Sequence, residues 1–311
     1  LSVKSTPRFL QGVYPITGEG LTKPGPVDAA LRYTVPAGCS AQALYFRGGN
    51  STGELLYVLL LRDGEPMRWF PIGARSDTHV PLRVVESAAI LFTVLLAFME
   101  IRHAVNGGDI YYTSAGLTEV ALQVGVALAM AIGLERLRLR SGSIVHNVAA
   151  VLLTVFAGLA GLFGLLGLEN PMLWWQDVGG SFINLLLLGY ALPAVLALLL
   201  SYAVAGHRPA AYANTIAAGA LVLALAYVTF EIRRLYHGPV LTRGETTGAE
   251  QYSYSIAWLA FGVALLGIGI VVNSQRARLA SAAVIGLTIL KAFLVDMSTL
   301  TGVYRALSFM C

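Results

Sequence analysis

The chain has 311 residues, 56% of them hydrophobic and 12% charged, with a formal net charge of +4. Soluble domains average roughly 25% charged residues, so a wholly soluble chain is excluded. The positive charge is scattered arginine and not a basic block, which gives nucleic acid no support as a partner.

Residues 1–86 mix charged and apolar residues like a soluble domain. Short runs rich in Val, Leu, Tyr and Phe predict strands over 27–35, 40–47, 55–62, 67–72 and 79–86. Pro36-Ala37-Gly38, Gly48-Gly49-Asn50 and Arg62-Asp63-Gly64 read as the turns between them, the last joining a hairpin. About six strands in this length predict a small antiparallel β-sandwich. Tyr45, Arg47, Tyr57, Arg68 and Trp69 are candidates for a face that holds a small-molecule or protein ligand. Cross-strand pairing is the plainer account of them. Asp77 and His79 have no serine nucleophile motif beside them.

From Ser87 onward, apolar runs of membrane length are cut by short polar loops. A span needs about 20 mostly apolar residues. Candidates are 85–101, 117–135, 144–168, 182–204, 212–231, 256–272 and 279–296, with an incomplete eighth from near Gly302. This predicts a multi-span α-helical membrane bundle. We expect three divisions: 1–86 as a soluble β domain, 87–204 as a first transmembrane repeat and 205–311 as a second. With no initial Met, no signal-peptide pattern and an incomplete last segment, the chain reads as a piece of a longer protein.

The division into repeats rests on a motif that occurs twice. Glu100-Ile101-Arg102-His103, followed by Gly107 and Glu119, returns later in the chain as Glu231-Ile232-Arg233-Arg234, followed at the same spacings by Gly238 and Glu250. Weaker echoes require a small gap: Gly125-Val126-Ala127-Leu128 with Gly262-Val263-Ala264-Leu265, and Leu153-Thr154 with Leu287-Thr288. A four-helix unit keeps both copies in one orientation, so the repeats are parallel. One set of loops carries Arg75, Arg83, Arg136, Arg138, Arg140, Arg208, Arg276 and Arg278. The other set carries only Arg102, Arg233, Arg234 and Arg243, which directs the N-terminal domain to the cytoplasm.

Several segments resemble a bacterial family of predicted polytopic membrane proteins, the domain-of-unknown-function 2339 family. They are Glu100-Ile101-Arg102-His103, Asn184 through Pro193, Phe230-Glu231-Ile232-Arg233 and Leu290-Lys291-Ala292-Phe293-Leu294-Val295-Asp296, with Tyr304-Arg305 and Ser308-Phe309 beyond. The resemblance covers about residues 86–311 and leaves the β region unassigned. It implies an integral protein of the bacterial inner membrane and no established activity.

Six residues are candidates for a substrate or ion pathway: Lys291, Asp296, Glu100, Glu231, Arg102 and Arg233. Lys291 follows about twelve apolar or small residues in its span, where a charge costs roughly 2.5–3.5 kcal/mol and must face protein or water. Asp296 is five residues on, about 140° round an α-helix, so the two are not expected to pair. Glu100, Glu231 and Arg305 are the candidate partners. Glu100 can meet His103, and Glu231 can meet Arg234, at a spacing of three. Interfacial anchoring is the plain alternative for the helix-end charges.

Asn184 is expected to bond between helices, Pro193 to kink its helix, and Gly158, Gly161, Gly164 and Gly167 to pack closely on a neighbour. His146 and Asn147 begin the third span, and Trp174 and Trp175 read as an interfacial anchor. Cys39 and Cys311 have no partner nearby in sequence. No catalytic constellation, cofactor or metal is expected. The leading expectation is a scaffold or envelope component whose partner is the bilayer. The alternatives are a transporter using the six pathway residues and a membrane enzyme acting on a lipid-linked substrate.

Overall fold

The computed structural model describes residues 6–18, 20–39, 41–112, 116–180 and 183–296. The expected eighth helix near Gly302, with Arg305 and Cys311, lies outside the described residues. The chain divides into two units, Leu1–Leu91 with Arg140–Val145, and Phe92–Leu139 with His146–Cys311.

The first unit holds two antiparallel pairs of strands. β1 (Tyr45–Asn50) pairs with β4 (Ser76–Pro81), and β2 (Leu56–Arg62) with β3 (Glu65–Ile72). Its core is small. Phe46 stacks on Phe70 at 4.2 Å, and Phe70 and Ile72 are buried. Gly48 lies against them, where an added Cβ would stand 2.6 Å from Ile72.

Asn50 ends β1 and holds the following loop. Its amide donates to the carbonyls of Glu54 and Gly73, and its oxygen accepts from the Thr52 amide and hydroxyl. Ser143 donates to Glu86 at 2.8 Å and accepts from Gln42 at 3.1 Å.

Three strand expectations change. Residues 27–35 form no strand, and Ala29–Leu31 is a single 3₁₀ turn capped by Asp28. Gly48-Gly49-Asn50 is strand and not turn, because Asn50 supplies the turn's hydrogen bonds after it. The run 79–86 stops at Pro81, and the first helix takes over at Leu82. The described strands number four, against the six or so expected.

Among the described residues, seven helices are long and apolar enough to cross a membrane. They are built on α1 (Leu82–Val105), α2 (Leu117–Ser141), α3 (Ile144–Leu159), α4 (Leu192–Val204), α5 (Ala210–His237), α6 (Gly248–Val271) and α7 (Gln275–Lys291), with the spans of α3, α4 and α7 running over Ile144–Leu168, Leu187–Val204 and Gln275–Asp296. Three of them contain π-helical turns: Ala160–Leu168 continues α3, Leu187–Ala191 leads into α4, and Ala292–Asp296 continues α7. α6 starts ahead of the apolar run that opens at Ile256, because Thr247 caps the Glu250 amide and Glu250 itself is buried.

The core of the second unit runs along α2. Leu117, Ala121, Val124, Leu128 and Ala131 repeat every three or four residues and are buried. Gly189 lies against Leu117 and Ala121, and Gly164 meets Val120. Ser201 of α4 donates to the Ala213 carbonyl of α5, and Tyr190 meets Phe230 edge-on at 4.8 Å. Gly262 carries the α6–α7 contact, its carbonyl accepting from Ser281 at 2.7 Å.

Pro193 acts one turn earlier than a simple kink would. It has no N–H for the Gly189 carbonyl, and the helix before it widens into a π turn in which Leu192 N–H bonds Leu187 O. The glycine stripe of α3 is not one packing face. Gly164 meets α2, whereas Gly158 and Gly161 face open space, because the helix changes to π geometry at Ala160 and loses the spacing. The repeat is more regular than the sequence echoes imply. α2 starts at Leu117 and α6 at Gly248, and α3 starts at Ile144 and α7 at Gln275. Both intervals equal the one from Glu100 to Glu231, so no gap precedes these helices.

Candidate functional site

Alternate crossings bring the ends of α1, α3, α5 and α7 and the starts of α2, α4 and α6 to one side of the bundle. The buried charges of that side fall into separate clusters.

The first two are copies of each other. Arg102, at the end of α1, donates from Nη1 to Glu119 on α2 at 2.8 Å, from Nε to the Ile110 carbonyl at 2.7 Å, and from Nη2 to the Tyr112 carbonyl. Arg233, at the end of α5, donates from Nη1 to Glu250 on α6 at 2.9 Å and from Nε to the Leu241 carbonyl at 3.0 Å. Its Nη2 donates to the Arg243 and Gly244 carbonyls at 3.3 and 2.9 Å. Arg102 corresponds to Arg233, Ile110 to Leu241, Tyr112 to Arg243 and Glu119 to Glu250, each pair separated by the same repeat interval. One guanidinium thus holds two loop carbonyls in the first copy and three in the second, and closes the loop onto the acid that begins the next helix.

The other ligands of the two acids also correspond. Asn106 and Gln123 donate to Glu119, both at 3.0 Å. At the same positions of the second copy stand His237 and Tyr254, at 2.7 and 2.6 Å from Glu250. His237 Nε2 is also 2.7 Å from Arg233 Nη1. Nε2 thus stands between the two, accepting from Arg233 or donating to Glu250 according to the tautomer of the ring. Gly244, at φ +75°, leaves room for that ring, since a Cβ there would lie 2.6 Å from His237 Nδ1.

Glu231 belongs to a third cluster. It accepts from Asn184 at 2.5 Å and pairs with Arg234 at 2.8 Å. Asn184 Oδ1 also accepts the Leu187 amide, so one side chain caps the approach to α4 and holds α5. Glu100, the counterpart of Glu231, is exposed, and among the described residues no hydrogen bond or ion pair joins it to His103.

Lys291 and Asp296 do pair, at 2.8 Å, contrary to expectation. Ala292–Asp296 is π-helical, and its i→i+5 repeat turns the two to one side. The Lys291 ammonium also donates to Ser255 at 2.7 Å and to the Gln251 carbonyl at 3.0 Å, both on α6. Ser255 and Gln251 donate in turn to Asp296. Glu100 and Glu231 are not among these partners.

The opposite side has a cluster of its own. Glu135 near the end of α2 accepts from Arg208 at 2.5 and 2.9 Å and from Arg138 at 2.8 Å. Arg208 also reaches the Asn147 carbonyl and lies 5.4 Å over the Tyr212 ring.

Glu169 stands just past the α3 span. Burial pushes its carboxyl above the usual range, and the Glu119 carboxylate adds to the shift.

The six pathway candidates are therefore divided. Arg102 and Arg233 lock loops, Glu231 joins two helices, Lys291 and Asp296 join α6 to α7, and Glu100 stands apart. Sequence reasoning missed Asn106, Gln123, His237 and Tyr254, and it left Glu119 and Glu250 without a role. The constant separation of 17 residues between Arg and Glu in both copies was the signal for the acids. Glu135 and Arg208 gave no such signal, since neither is repeated.

In the β region Tyr45 stacks on His79 at 5.6 Å, and Leu60 and Leu59 face Arg68 and Trp69 across the β2–β3 pair. Trp174 and Trp175 are exposed past the end of α3, and Cys39 is free and exposed. Among the described residues no three His, Cys, Asp or Glu side chains come together as metal ligands do.

A family model described as "Predicted membrane protein (DUF2339)" matches residues 41–311. It begins ahead of β1 and so takes in all four strands, well before residue 86, where the resemblance read from motifs begins. No curated protein and no solved structure matches the chain.

Proposed function

We propose, since the chain belongs to the DUF2339 family of predicted membrane proteins, that it is a static scaffold or envelope component of the bacterial inner membrane. The observation that carries this reading is the engagement of two largely buried cations, Lys291 and Arg233. The Lys291 ammonium has three N–H groups and three acceptors, Gln251 O, Ser255 Oγ and Asp296 Oδ1. Arg233 directs Nε and both Nη atoms to Glu250 and to carbonyls of its own loop. Donors engaged in this way join helices and loops and have no capacity left for a solute.

In this reading residues 87–204 and 205–311 are two parallel repeats. The β region, residues 1–86, lies on the cytoplasmic side, where the eight loop arginines gather, and receives a small-molecule or protein ligand. The competing reading is a transporter with a path through Lys291, Asp296, Glu100, Glu231, Arg102 and Arg233. A Lys291→Cys variant, with Cys39 and Cys311 replaced by Ser, separates the two when probed with a membrane-impermeant thiol reagent. The scaffold predicts no labelling from either side, with a Ser141→Cys control reacting from its own side. Labelling of Lys291→Cys from either side would put the position on an aqueous path and favour transport.

A further inference from the structure

We infer that the face of α1 bearing Phe92, Met99 and Glu100 seats a further apolar membrane helix, one that presents a side-chain amide at the depth of Glu100. The inference rests on the repeat geometry and is independent of the scaffold reading.

The two arginine clusters fix the register between α1 and α5, with Arg102 matched to Arg233. Residue by residue, Phe92, Met99 and Glu100 then correspond to Leu223, Phe230 and Glu231. In α5 these three positions are covered. Leu223 and Phe230 are 8% and 5% exposed, Phe230 packs on Tyr190, and Glu231 accepts the Asn184 amide. The cover is the segment that leads from Asn184 through the π turn into α4. In α1 the same three positions stay open. Phe92 and Met99 are 65% and 41% exposed, and Glu100 is exposed as well. α1 thus keeps the apolar side chains and the acid of a helix-packing face, and among the described residues lacks only its cover.

The chemistry of the occupant follows from that of the cover. A carboxylate near the end of a span is stabilised by a fixed N–H donor, which acyl chains do not have. A second copy fits poorly. Its own α4 is already engaged with its own α5, and two α1 faces laid together would bring two Glu100 carboxylates into contact. A helix with an amide in the place of Asn184 supplies that donor and brings no second carboxylate.

The segment that covers α5 is itself the probe. The full chain, with Cys39→Ser, Cys311→Ser and Met99→Cys, is reconstituted in liposomes with a synthetic peptide of residues 183–204 carrying Tyr190→Cys. Disulfide formation is then measured under mild oxidation. The control chain carries the cysteine at Phe163, an exposed position of the α3 continuation.

The expected result is cross-linking at Met99→Cys well above the Phe163→Cys control. It should fall at least about threefold with an Asn184→Leu peptide or a Glu100→Leu chain, the loss of one interhelical hydrogen bond. Since Asn184→Leu is made in the peptide, the fold of the chain is untouched. Equal cross-linking at both positions, or no change with the Asn184→Leu peptide, overturns the inference. So does efficient chain-to-chain disulfide formation at Met99→Cys without peptide, which would give the face to a second copy.

Discussion

Arg233 precedes Glu250 by 17 residues and binds it at 2.9 Å, the separation and contact by which Arg102 binds Glu119. The pairs differ in their surroundings. The Arg233 side chain is 8% exposed and that of Arg102 22%, while both acids are almost fully buried. Removing one partner of a buried pair leaves the other uncompensated, typically at about 3–5 kcal/mol. Glu250→Ala is therefore expected to destabilise by about that amount, and Glu119→Ala by less, because Arg102 reaches solvent. Replacing both members, with Arg233→Met and Glu250→Leu together, should cost less than Glu250→Ala alone. Unfolding of each variant in mixed micelles against rising SDS measures this. Equal losses for Glu119→Ala and Glu250→Ala would refute the ranking.

Lys291 and Asp296 give the second test. Their contact depends on the π turn between them, and both also bond Ser255 and Gln251. A double-mutant cycle with Lys291→Met and Asp296→Asn should return a coupling of about 0.5–3 kcal/mol, as for other groups in direct contact. Two α-helical positions five apart would face different ways and give a coupling near zero. The same unfolding assay reads the cycle.

What the sequence could convey about this fold differs from place to place. Span positions followed from apolar length alone, and the repeat interval was visible in Glu100 and Glu231. The interactions of these helices were harder to read, because three spans leave α geometry. The expected angle between Lys291 and Asp296 holds for an α-helix, and a five-residue π segment reversed the answer. The glycine stripe of α3 failed for the same reason. Strand ends failed differently: Asn50 extends β1 through two glycines by supplying the turn's hydrogen bonds itself, a tertiary role with no local pattern. Asn184 succeeded because an amide opening an apolar span has few partners other than a neighbouring helix.

Glu169 makes stability depend on pH. Its carboxyl titrates above the usual range in the folded chain, so the folded state holds a proton that the unfolded state, with a pKa of about 4.3, has released. The folded state binds more protons in that window, and stability therefore falls as pH rises through it. A Glu169→Gln variant removes the effect. It should melt above the parent at pH 7, and the difference should shrink as the pH approaches 4. Thermal denaturation in detergent at the two pH values checks this. A parent that melts as high as Glu169→Gln at pH 7 would count against a raised carboxyl.

Two helical glycines, Gly269 at the α6–α7 contact and Gly219 in α5, carry opposite predictions. A Cβ added at Gly269 would stand 2.9 Å from the Arg278 backbone nitrogen and 3.2 Å from the Ala277 Cβ, so backbone must move to admit it. Overpacking of this kind costs about 1–3 kcal/mol. Gly219, in the interior of α5, has open space at the same point. Alanine there loses less backbone freedom on folding and meets nothing, so it should be neutral or stabilising by about 0.5–1 kcal/mol. Gly269→Ala should lower the melting temperature and Gly219→Ala should hold or raise it. If both variants melt alike, α6 and α7 are not as close at Gly269 as the 2.9 Å approach requires.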